Sequence, residues 1–271
     1  MEKVKGVIFD WAGTTVDFGC FAPMHAFIRV FEEKGVPVSS REIRESMGLA
    51  KLDHIKALLE IPRIKRLWHK NHGREATYKD VNSLYIRFED VLMDSLENFA
   101  QPLPKVLDTV AFLRKKSIKI GSTTGYTGEM MAIVAKEAKK RGYSPDSLVT
   151  PEQVAGLGRP YPYMIFKNMQ NLGLKSTRSI IKIGDTCSDV KEAVNAGVWS
   201  VGCIIGSSEL GLNKEEFSEL KSKDRQEKIL VTKERFLQAG ADFVLEHTGE
   251  IPDLIEKVDS LICKKTLSYK H

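Results

Sequence analysis

The stretch VKGVIFDWAGTTVD, residues 4–17, carries the first side chain in the sequence that is placed for chemistry. A run of apolar residues ends in Asp10, and Ala12 stands two positions later. A carboxylate directly after a buried strand lies where parallel sheets bind their ligands, although it can also be an ordinary turn residue. Asp10 is therefore a candidate nucleophile or metal ligand. Ala12 matters because a second acid at that position would assist proton transfer.

Polar side chains also follow two later apolar runs and occupy one loop. The segment STTGYT offers Thr123 or Thr124, which the strand-end pattern does not separate, and GDTCSD offers Asp185 and Asp189. Arg159 lies in the glycine- and proline-rich loop VAGLGRPYP. Hydroxyl groups and an arginine hold anionic oxygens well, whereas carboxylates hold cations. Each group alone has a plain structural explanation, but together they predict a site for phosphoryl transfer.

The predicted chemistry is the attack of a carboxylate on phosphorus. Both groups are anionic, so a cation must screen their repulsion, and Mg²⁺ takes one or two carboxylates plus other oxygens. Asp10 and Asp185 would supply two carboxylates, and a backbone carbonyl near Ala12 would supply a third oxygen. Screening charge and fixing the in-line geometry is most of phosphoryl-transfer catalysis. Mg²⁺ is therefore the expected cofactor.

The elements that must position these groups are short, continuous apolar runs that alternate with helical patterns. Such runs indicate strands covered on both faces, and strand–helix alternation predicts a parallel α/β sheet. The predicted strands span residues 6–10, 118–123, 180–185, 199–205 and 241–246.

Residues 20–99 contain no comparable run and show helical spacing of apolar residues instead. We expect a helical domain at 20–99, inserted into an α/β domain formed by residues 1–19 and 100–271. The segment 64–75, IKRLWHKNHGRE, is basic with one tryptophan. A nucleic-acid patch is the alternative there, but a solvated helix end fits a mild charge better, so no nucleic-acid partner is expected.

Composition bounds the class of protein. The 271 residues are 42% hydrophobic and 28% charged, with a formal net charge of +5, which is typical of a globular chain. The four cysteines form no C-x-x-C pair and fit a reducing compartment. No apolar run approaches the roughly 18 residues that a membrane span needs. The expectation is a soluble, cytoplasmic protein with no membrane partner and a small-molecule substrate.

The motifs resemble those of the haloacid dehalogenase (HAD) superfamily. DWAGTT matches its first motif and GDTCSD its fourth, the threonines of STTGYT fit the second, and Arg159 stands where many relatives have a lysine. The resemblance implies a Rossmann-like parallel-sheet HAD core with a helical cap domain inserted after the first strand, which corresponds to residues 20–99. Most phosphatases of that superfamily carry an acid at the position of Ala12, so this chain departs from them.

The predicted helical domain offers one group that could replace the missing acid. In MGLAKLDHIKALLEI, Met47, Lys51 and His54 fall at i−4, i and i+3 on one helix face. A lysine in apolar surroundings loses its proton more readily and can form a Schiff base with a carbonyl. His54 would then move protons for that step. The alternatives are a solvent-facing lysine and a packing histidine.

Several stretches together resemble the phosphonoacetaldehyde hydrolases (phosphonatases) over residues 5 to 257. These are DWAGTTVDFGCFAP, MGLAKLDH, GSTTGYT, VTPE, GRPYP and SSELGL. The resemblance implies cleavage of a carbon–phosphorus bond through a Lys51 Schiff base and an Asp10 aspartyl phosphate. It also explains Ala12, because a carbon leaving group has no oxygen to protonate. The alternative is a HAD phosphomonoesterase or phosphomutase acting on another small phosphorylated metabolite, and a non-catalytic binding module is a third hypothesis.

The same resemblance implies roles for individual residues and a homodimer formed through the cap helices. The implied metal ligands are Asp10, the carbonyl of Ala12 and Asp185, with Asp189 supporting the metal shell. The implied phosphoryl-binding residues are Thr124 and Arg159. The implied residues lining the pocket are Cys20, Met47, His54 and Tyr126.

Overall fold

The computed structural model describes residues 3–46 and 51–268. Contacts divide the chain into two compact units: Met1–Gly19 together with Ala100–His271, called the core unit, and Cys20–Phe99, called the helical unit. That the helical unit serves as a cap domain stays a prediction.

The core unit is built on one parallel sheet, which confirms the predicted α/β class. Its strand order is β3-β2-β1-β4-β5-β6, and every pair of neighbours is parallel. The strands are β1 (Gly6–Phe9), β2 (Lys119–Thr123), β3 (Ser147–Val149), β4 (Ile180–Gly184), β5 (Trp199–Cys203) and β6 (Phe243–Leu245). Five of them lie within the predicted runs. The sequence pattern did not reveal β3, whose three residues Ser147–Val149 are not part of a longer apolar run.

Strand β1 runs through the middle of the sheet and is buried along its whole length. Phe9 pairs with Ser122 on one side and with Ile183 on the other. Asp10 continues this alignment, and its amide donates to the carbonyl oxygen of Ile183 at 2.9 Å. The residues that follow β1, β2 and β4 therefore emerge together at one edge of the sheet, as the parallel arrangement requires.

The helical unit packs around two aromatic side chains. Phe27 and Phe88 lie with ring centroids 4.5 Å apart, and both are fully buried. The apolar face of the first helix is thereby used within the chain. Ser39 caps the second helix in a capping box with Glu42. The helices are α1 (Phe21–Glu33), α2 (Ser40–Glu45), α3 (Lys51–Glu60), α4 (Pro62–His72) and α5 (Tyr78–Ser95).

Seven further helices belong to the core unit in the described part of the chain. Among the described helices of both units, none is long and apolar enough to cross a bilayer. The helices of the core unit are α6 (Val106–Lys115), α7 (Gly128–Lys140), α8 (Tyr163–Leu172), α9 (Cys187–Ala196), α10 (Lys214–Glu219), α11 (Ser222–Ala239) and α12 (Ile251–Ser268). Short 3₁₀ turns occupy Leu96–Phe99, Pro151–Val154, Thr177–Ser179 and Thr248–Glu250.

Candidate active site

The side chain of Asp10 lies at the carboxyl end of β1 and is 4% exposed. Its Oδ1 atom accepts a hydrogen bond from Nη2 of Arg159, and the hydroxyl of Thr14 lies 3.4 Å from Oδ2. Burial raises the pKa of Asp10, and the charge of Arg159 acts against that effect. The carboxylate is thus held by one cation at the end of the central strand, as a nucleophile or metal ligand requires.

Asp185 follows β4 and meets the turn that follows Asp10. Its Oδ2 atom accepts two hydrogen bonds from Ser208, one from the amide at 2.8 Å and one from the hydroxyl at 2.7 Å. Gly13 has φ +86°, and a Cβ atom there would lie 2.3 Å from the same Oδ2 atom. Only glycine fits this backbone conformation and this close approach, so the first and fourth sequence motifs are packed directly against each other.

Asp10, Asp185 and Asp189 form a cluster of oxygen donors. One carboxylate oxygen of each lies within 4.8 Å of those of the other two. The pKa of Asp185 is raised well above its usual range, first by burial and then by the negative charges of Asp10 and Asp189. Buried charges of one sign are costly unless they are paired.

The balance of charge around this cluster would favour the binding of a divalent cation. Four buried carboxylates (the three above and Glu192) lie in this region, and two cations, the fully buried Lys182 and the half-buried Arg159, form ion pairs with three of them. The excess of negative charge and the all-oxygen donor set fit a hard divalent ion. Ala12 is half-buried on the turn just beyond Asp10, and the role of its carbonyl as a further oxygen ligand stays a prediction.

Asp189 lies on the first turn of α9 and is fully buried. Its Oδ2 atom accepts from the hydroxyl of Thr186 at 2.6 Å in a capping box, and its Oδ1 atom lies 2.8 Å from Nζ of Lys182. Burial acts to raise the pKa of Asp189, but the charges of Arg159 and Lys182 outweigh it, so the pKa is lowered. Asp189 is therefore an anion at neutral pH, beside the two predicted metal ligands.

The two threonines that the sequence left unresolved have different partners. The Thr123 hydroxyl accepts from Nη2 of Arg159 at 3.0 Å and donates to a carboxylate oxygen of Glu192 at 3.3 Å. The Thr124 hydroxyl accepts from the amide of Tyr126 at 3.1 Å. The hydroxyl of Thr123 is thus engaged in both roles, whereas the hydroxyl of Thr124 donates to no acceptor among the residues that the structure describes.

Sequence reasoning missed three polar residues at this edge of the sheet: Lys182, Glu192 and Ser208. Lys182 interrupts the apolar run IIKIGD, and it is completely buried. Glu192 follows Asp189 by three positions on α9, so the two acids share a helix face. A lysine within a buried strand and an acid one turn after another are the signals that would have revealed the first two. Ser208 lies in SSELGL, one of the stretches that carry the family resemblance, but the sequence assigned no role to it.

In the helical unit, Lys51 and His54 lie near each other at the start of α3. The ammonium of Lys51 is 5.9 Å from the ring centroid of Phe27, and the imidazole of His54 is 4.2 Å from the same centroid. Nε2 of His54 lies 2.8 Å from the carbonyl oxygen of Ile43, and Nδ1 has no hydrogen-bond partner among the described residues. Burial, followed by the charge of Lys51, lowers the pKa of His54 to about 4.

Three further predicted residues have less to show. Cys20 is half-buried in a left-handed conformation, with φ 56°, just before α1. Tyr126 is buried after β2. Met47 lies outside the described residues. The roles of all these residues stay predictions.

Comparison with known families places this geometry in context. The profile of the haloacid dehalogenase-like hydrolases matches residues 4–197. The phosphonoacetaldehyde hydrolase of Lysinibacillus sphaericus is 50% identical over 264 residues, which is 97% of this chain and 98% of that protein. The bifunctional phosphonoacetaldehyde hydrolase/aminoethylphosphonate transaminase of Clostridioides difficile is 50% identical over 259 residues, which is 96% of this chain but 41% of that protein.

Solved structures give the same picture at the level of the fold. The crystal structure of a phosphonoacetaldehyde hydrolase like protein from Oleispira antarctica matches with a TM-score of 0.87 and 33% identity, over 95% of this chain and 93% of that one. A haloacid dehalogenase family hydrolase from Deinococcus radiodurans matches with a TM-score of 0.65 and 16% identity, over 95% of this chain and 97% of that one. The second match concerns the fold alone.

Proposed function

The chain belongs to the phosphonoacetaldehyde hydrolases within the haloacid dehalogenase-like hydrolases, and from this membership we propose that it hydrolyses phosphonoacetaldehyde to acetaldehyde and phosphate. The observation that carries the proposal is the position of Ala12, two residues after a buried Asp10 that is otherwise equipped for attack on phosphorus. A phosphate ester releases an alkoxide, which needs an acid. A carbon leaving group needs an electron sink instead.

In this proposal Asp10 is the nucleophile toward phosphorus. Arg159 already donates to Asp10, so the same guanidinium edge is directed at the place where the phosphonyl oxygens would lie. Thr124 supports this step, because its hydroxyl, which donates to no acceptor among the described residues, can donate to those oxygens. The product of the attack is an aspartyl phosphate, which water then hydrolyses to release phosphate and restore Asp10.

Lys51 is proposed to supply the electron sink. Its amine condenses with the aldehyde to an iminium ion and releases water. When the carbon–phosphorus bond breaks, its electron pair moves into the iminium and gives an enamine rather than a free carbanion. Protonation and hydrolysis of the enamine release acetaldehyde. Nε2 of His54 is committed to Ile43, so Nδ1 is the atom at which His54 would take a proton from this step, directly or through water.

Mg²⁺ is the proposed cofactor, held by Asp10, Asp185 and the carbonyl of Ala12, with Asp189 supporting the shell. Support comes from the oxygen-only donor set and the excess negative charge around it. The bound ion would screen the repulsion between the attacking carboxylate and the phosphonyl oxygens.

The decisive test is product formation from phosphonoacetaldehyde. Acetaldehyde, coupled to alcohol dehydrogenase, and phosphate should appear in equal amounts, and chelation of divalent ions should stop both. Borohydride added with the substrate should leave a reduced adduct on Lys51, and Lys51→Arg should lose both the adduct and the activity. Turnover of phosphomonoesters that is unaffected by Lys51→Arg would instead favour the phosphomonoesterase hypothesis.

We also propose a homodimer formed through the helical unit. The apolar face of α1 is buried within the chain, so it does not supply the contact surface. Helix α5 exposes Tyr78 and Ile86, with 68% and 54% of their surface accessible, and these are the residues we expect at a contact. Light scattering during gel filtration should report a molar mass of twice the chain mass, and Ile86→Lys should lower it to the mass of a single chain.

A cytoplasmic location stays a prediction that rests on four free cysteines.

A further inference from the structure

Glu192 is completely buried on α9, and the proposed chemistry does not use it. Its Oε2 atom lies 3.3 Å from Nε of Arg159 and 3.6 Å from Nζ of Lys182. The same oxygen accepts from the Thr123 hydroxyl at 3.3 Å. A buried carboxylate costs several kcal/mol unless cations and donors surround it, so a pure packing role would be served better by an apolar residue.

The contacts of Arg159 fall on two edges of its guanidinium group. Nε faces α9, where it lies 3.1 Å from Oδ1 of Asp189 and 3.3 Å from Oε2 of Glu192. Nη2 faces the site, where it donates to Asp10 and to Thr123. The guanidinium is planar and rigid, so a group that holds Nε also sets the direction of Nη2.

The two acids that hold Nε differ in their remaining capacity to accept hydrogen bonds. Asp189 shares its Oδ1 with Lys182 and gives its Oδ2 to Thr186. Glu192 concentrates its contacts on Oε2, and its Oε1 has no hydrogen-bond partner among the described residues. Glu192 is therefore the acid with accepting capacity to spare when Arg159 changes its contacts.

Such a change is built into the proposed reaction. Asp10 must give up its hydrogen bond from Arg159 when its oxygen bonds to phosphorus, while the guanidinium must stay in place for the phosphonyl oxygens. A guanidinium held by Asp10 alone would lose its anchor at that moment. An anchor that does not depend on Asp10 has to hold the other edge.

We infer that Glu192 is a positioning residue for anion binding: it anchors Nε of Arg159, with Lys182 and Thr123 fixing its own carboxylate, so that Nη2 stays directed at the phosphonyl or phosphate group. The inference deepens the proposed function, because it assigns the orientation of the arginine at that same site. It predicts that the loss of Glu192 weakens the binding of the phosphorus-bearing group through Arg159 and through no other residue.

The test is a double-mutant cycle of Glu192→Gln and Arg159→Lys, read by the binding of inorganic phosphate with Mg²⁺ present. Glu192→Gln alone should weaken phosphate binding about tenfold and lower kcat/KM by at least about the same factor, with part of the loss in kcat, because the anchor matters most once Asp10 has released Arg159. In the Arg159→Lys background the same substitution should change phosphate binding less than twofold. Equal factors in both backgrounds would overturn the inference, because a role independent of Arg159 is additive.

Two further measurements keep the outcome readable. Glu250→Gln makes the same chemical change at a carboxylate that accepts from the backbone amides of residues 246 and 247, and it should leave phosphate binding unchanged. If Glu192→Gln does not fold, Glu192→Asp retains the charge and should weaken phosphate binding to a smaller extent, again only with Arg159 present. Phosphate binding does not require carbon–phosphorus cleavage, so failure of the proposed function and failure of this inference give different results.

Discussion

Nε2 of His54 lies 2.8 Å from the carbonyl oxygen of Ile43. A carbonyl only accepts, so Nε2 carries the proton and the neutral ring keeps its lone pair on Nδ1. The ring is fully buried, and its pKa is lowered to about 4 by burial and by the charge of Lys51. The contact therefore selects one tautomer of one histidine beside the proposed Schiff-base lysine.

This burial predicts an acid-sensitive helical unit. The pKa of His54 is lower in the folded chain, about 4, than the ordinary value of 6.5, so the unfolded chain binds the proton more tightly. The folded state therefore has its full stability above pH 6.5, where His54 is neutral in both states. Its free energy of unfolding falls by up to about 3 kcal/mol as the pH drops toward 4. Urea unfolding at pH 7, 5.5 and 4 should show the loss, and His54→Gln should remove most of it. His69→Gln, at an exposed position of α4, is the control and should leave the pH dependence unchanged.

Ala12 predicts how the site would respond to a restored acid. Ala12→Asp places a carboxylate two residues after Asp10, where it can protonate a leaving oxygen. We expect hydrolysis of a simple alkyl phosphate to rise by at least about tenfold, while acetaldehyde formation from phosphonoacetaldehyde falls. Both rates are measured on the same preparation. No gain on the alkyl phosphate would show that Ala12 is not what separates the two chemistries.

The two threonines after β2 should behave differently when each loses its hydroxyl. Thr124→Val removes the proposed donor to the phosphonyl group, so the inhibition constant of phosphate should rise about tenfold or more. Thr123→Val leaves that donor in place and acts only through Arg159 and Glu192, so the rise should be smaller. The matched pair has the same change in volume and polarity. A larger effect at Thr123 would reverse the assignment.

A divalent cation should stabilise the core unit. The cluster of Asp10, Asp185 and Asp189 brings one oxygen of each carboxylate within 4.8 Å of the others, and an ion that binds only the folded chain adds about 2.7 kcal/mol at a free concentration of 100 times Kd. Thermal unfolding with Mg²⁺ and with chelator measures the gain, and Asp185→Asn should abolish it. Asp146→Asn, at a carboxylate that accepts from the amide of Ile120, should retain it. If the melting temperature of the wild type is the same with Mg²⁺ and with chelator, the proposed ion site is ruled out.

Lys182 predicts a stability effect that arises from charge. Lys182→Met keeps the length of the side chain but leaves Asp189 and Glu192 with one buried cation fewer. The free energy of unfolding should fall by about 3 kcal/mol or more. Lys119→Met, at an exposed position of the neighbouring strand β2, should change it little. If the two substitutions cost the same, Lys182 does not neutralise the cluster.

The sequence was sufficient to predict which side chains lie close together because they follow neighbouring parallel strands. Asp10 and Asp185 each end a continuous apolar run, and parallel strands put such ends at one edge, so their proximity followed from pattern alone. Lys51 and His54 were selected by helical spacing and by family resemblance. Their shared contact with the ring of Phe27 depends on the packing of α3 against α1, which no local pattern records.

The buried ion-pair network is where sequence reasoning stopped short. Lys182 was read as part of an apolar strand, and Glu192 lies in a helix where most acids are solvated. Lys182 and the acids of α9 are buried because β4 and α9 pack with these side chains facing each other. Arg159 reaches the same place from a loop elsewhere in the chain. The strand-end pattern also did not separate Thr123 from Thr124, and the family resemblance favoured Thr124. The atomic contacts add that the two hydroxyls have different partners, because adjacent side chains of a strand point in opposite directions.

The central place of β1 has a consequence for amide hydrogen exchange. Phe9 is paired on both sides, and the amide of Asp10 donates to Ile183, so these amides exchange with solvent only when the sheet itself opens. Exchange at this depth reports global unfolding, whereas helix ends and loops open in smaller steps. The proposed nucleophile is thus attached to the part of the core unit that opens last, and heavy water should label its amide at the rate at which the whole core unit unfolds.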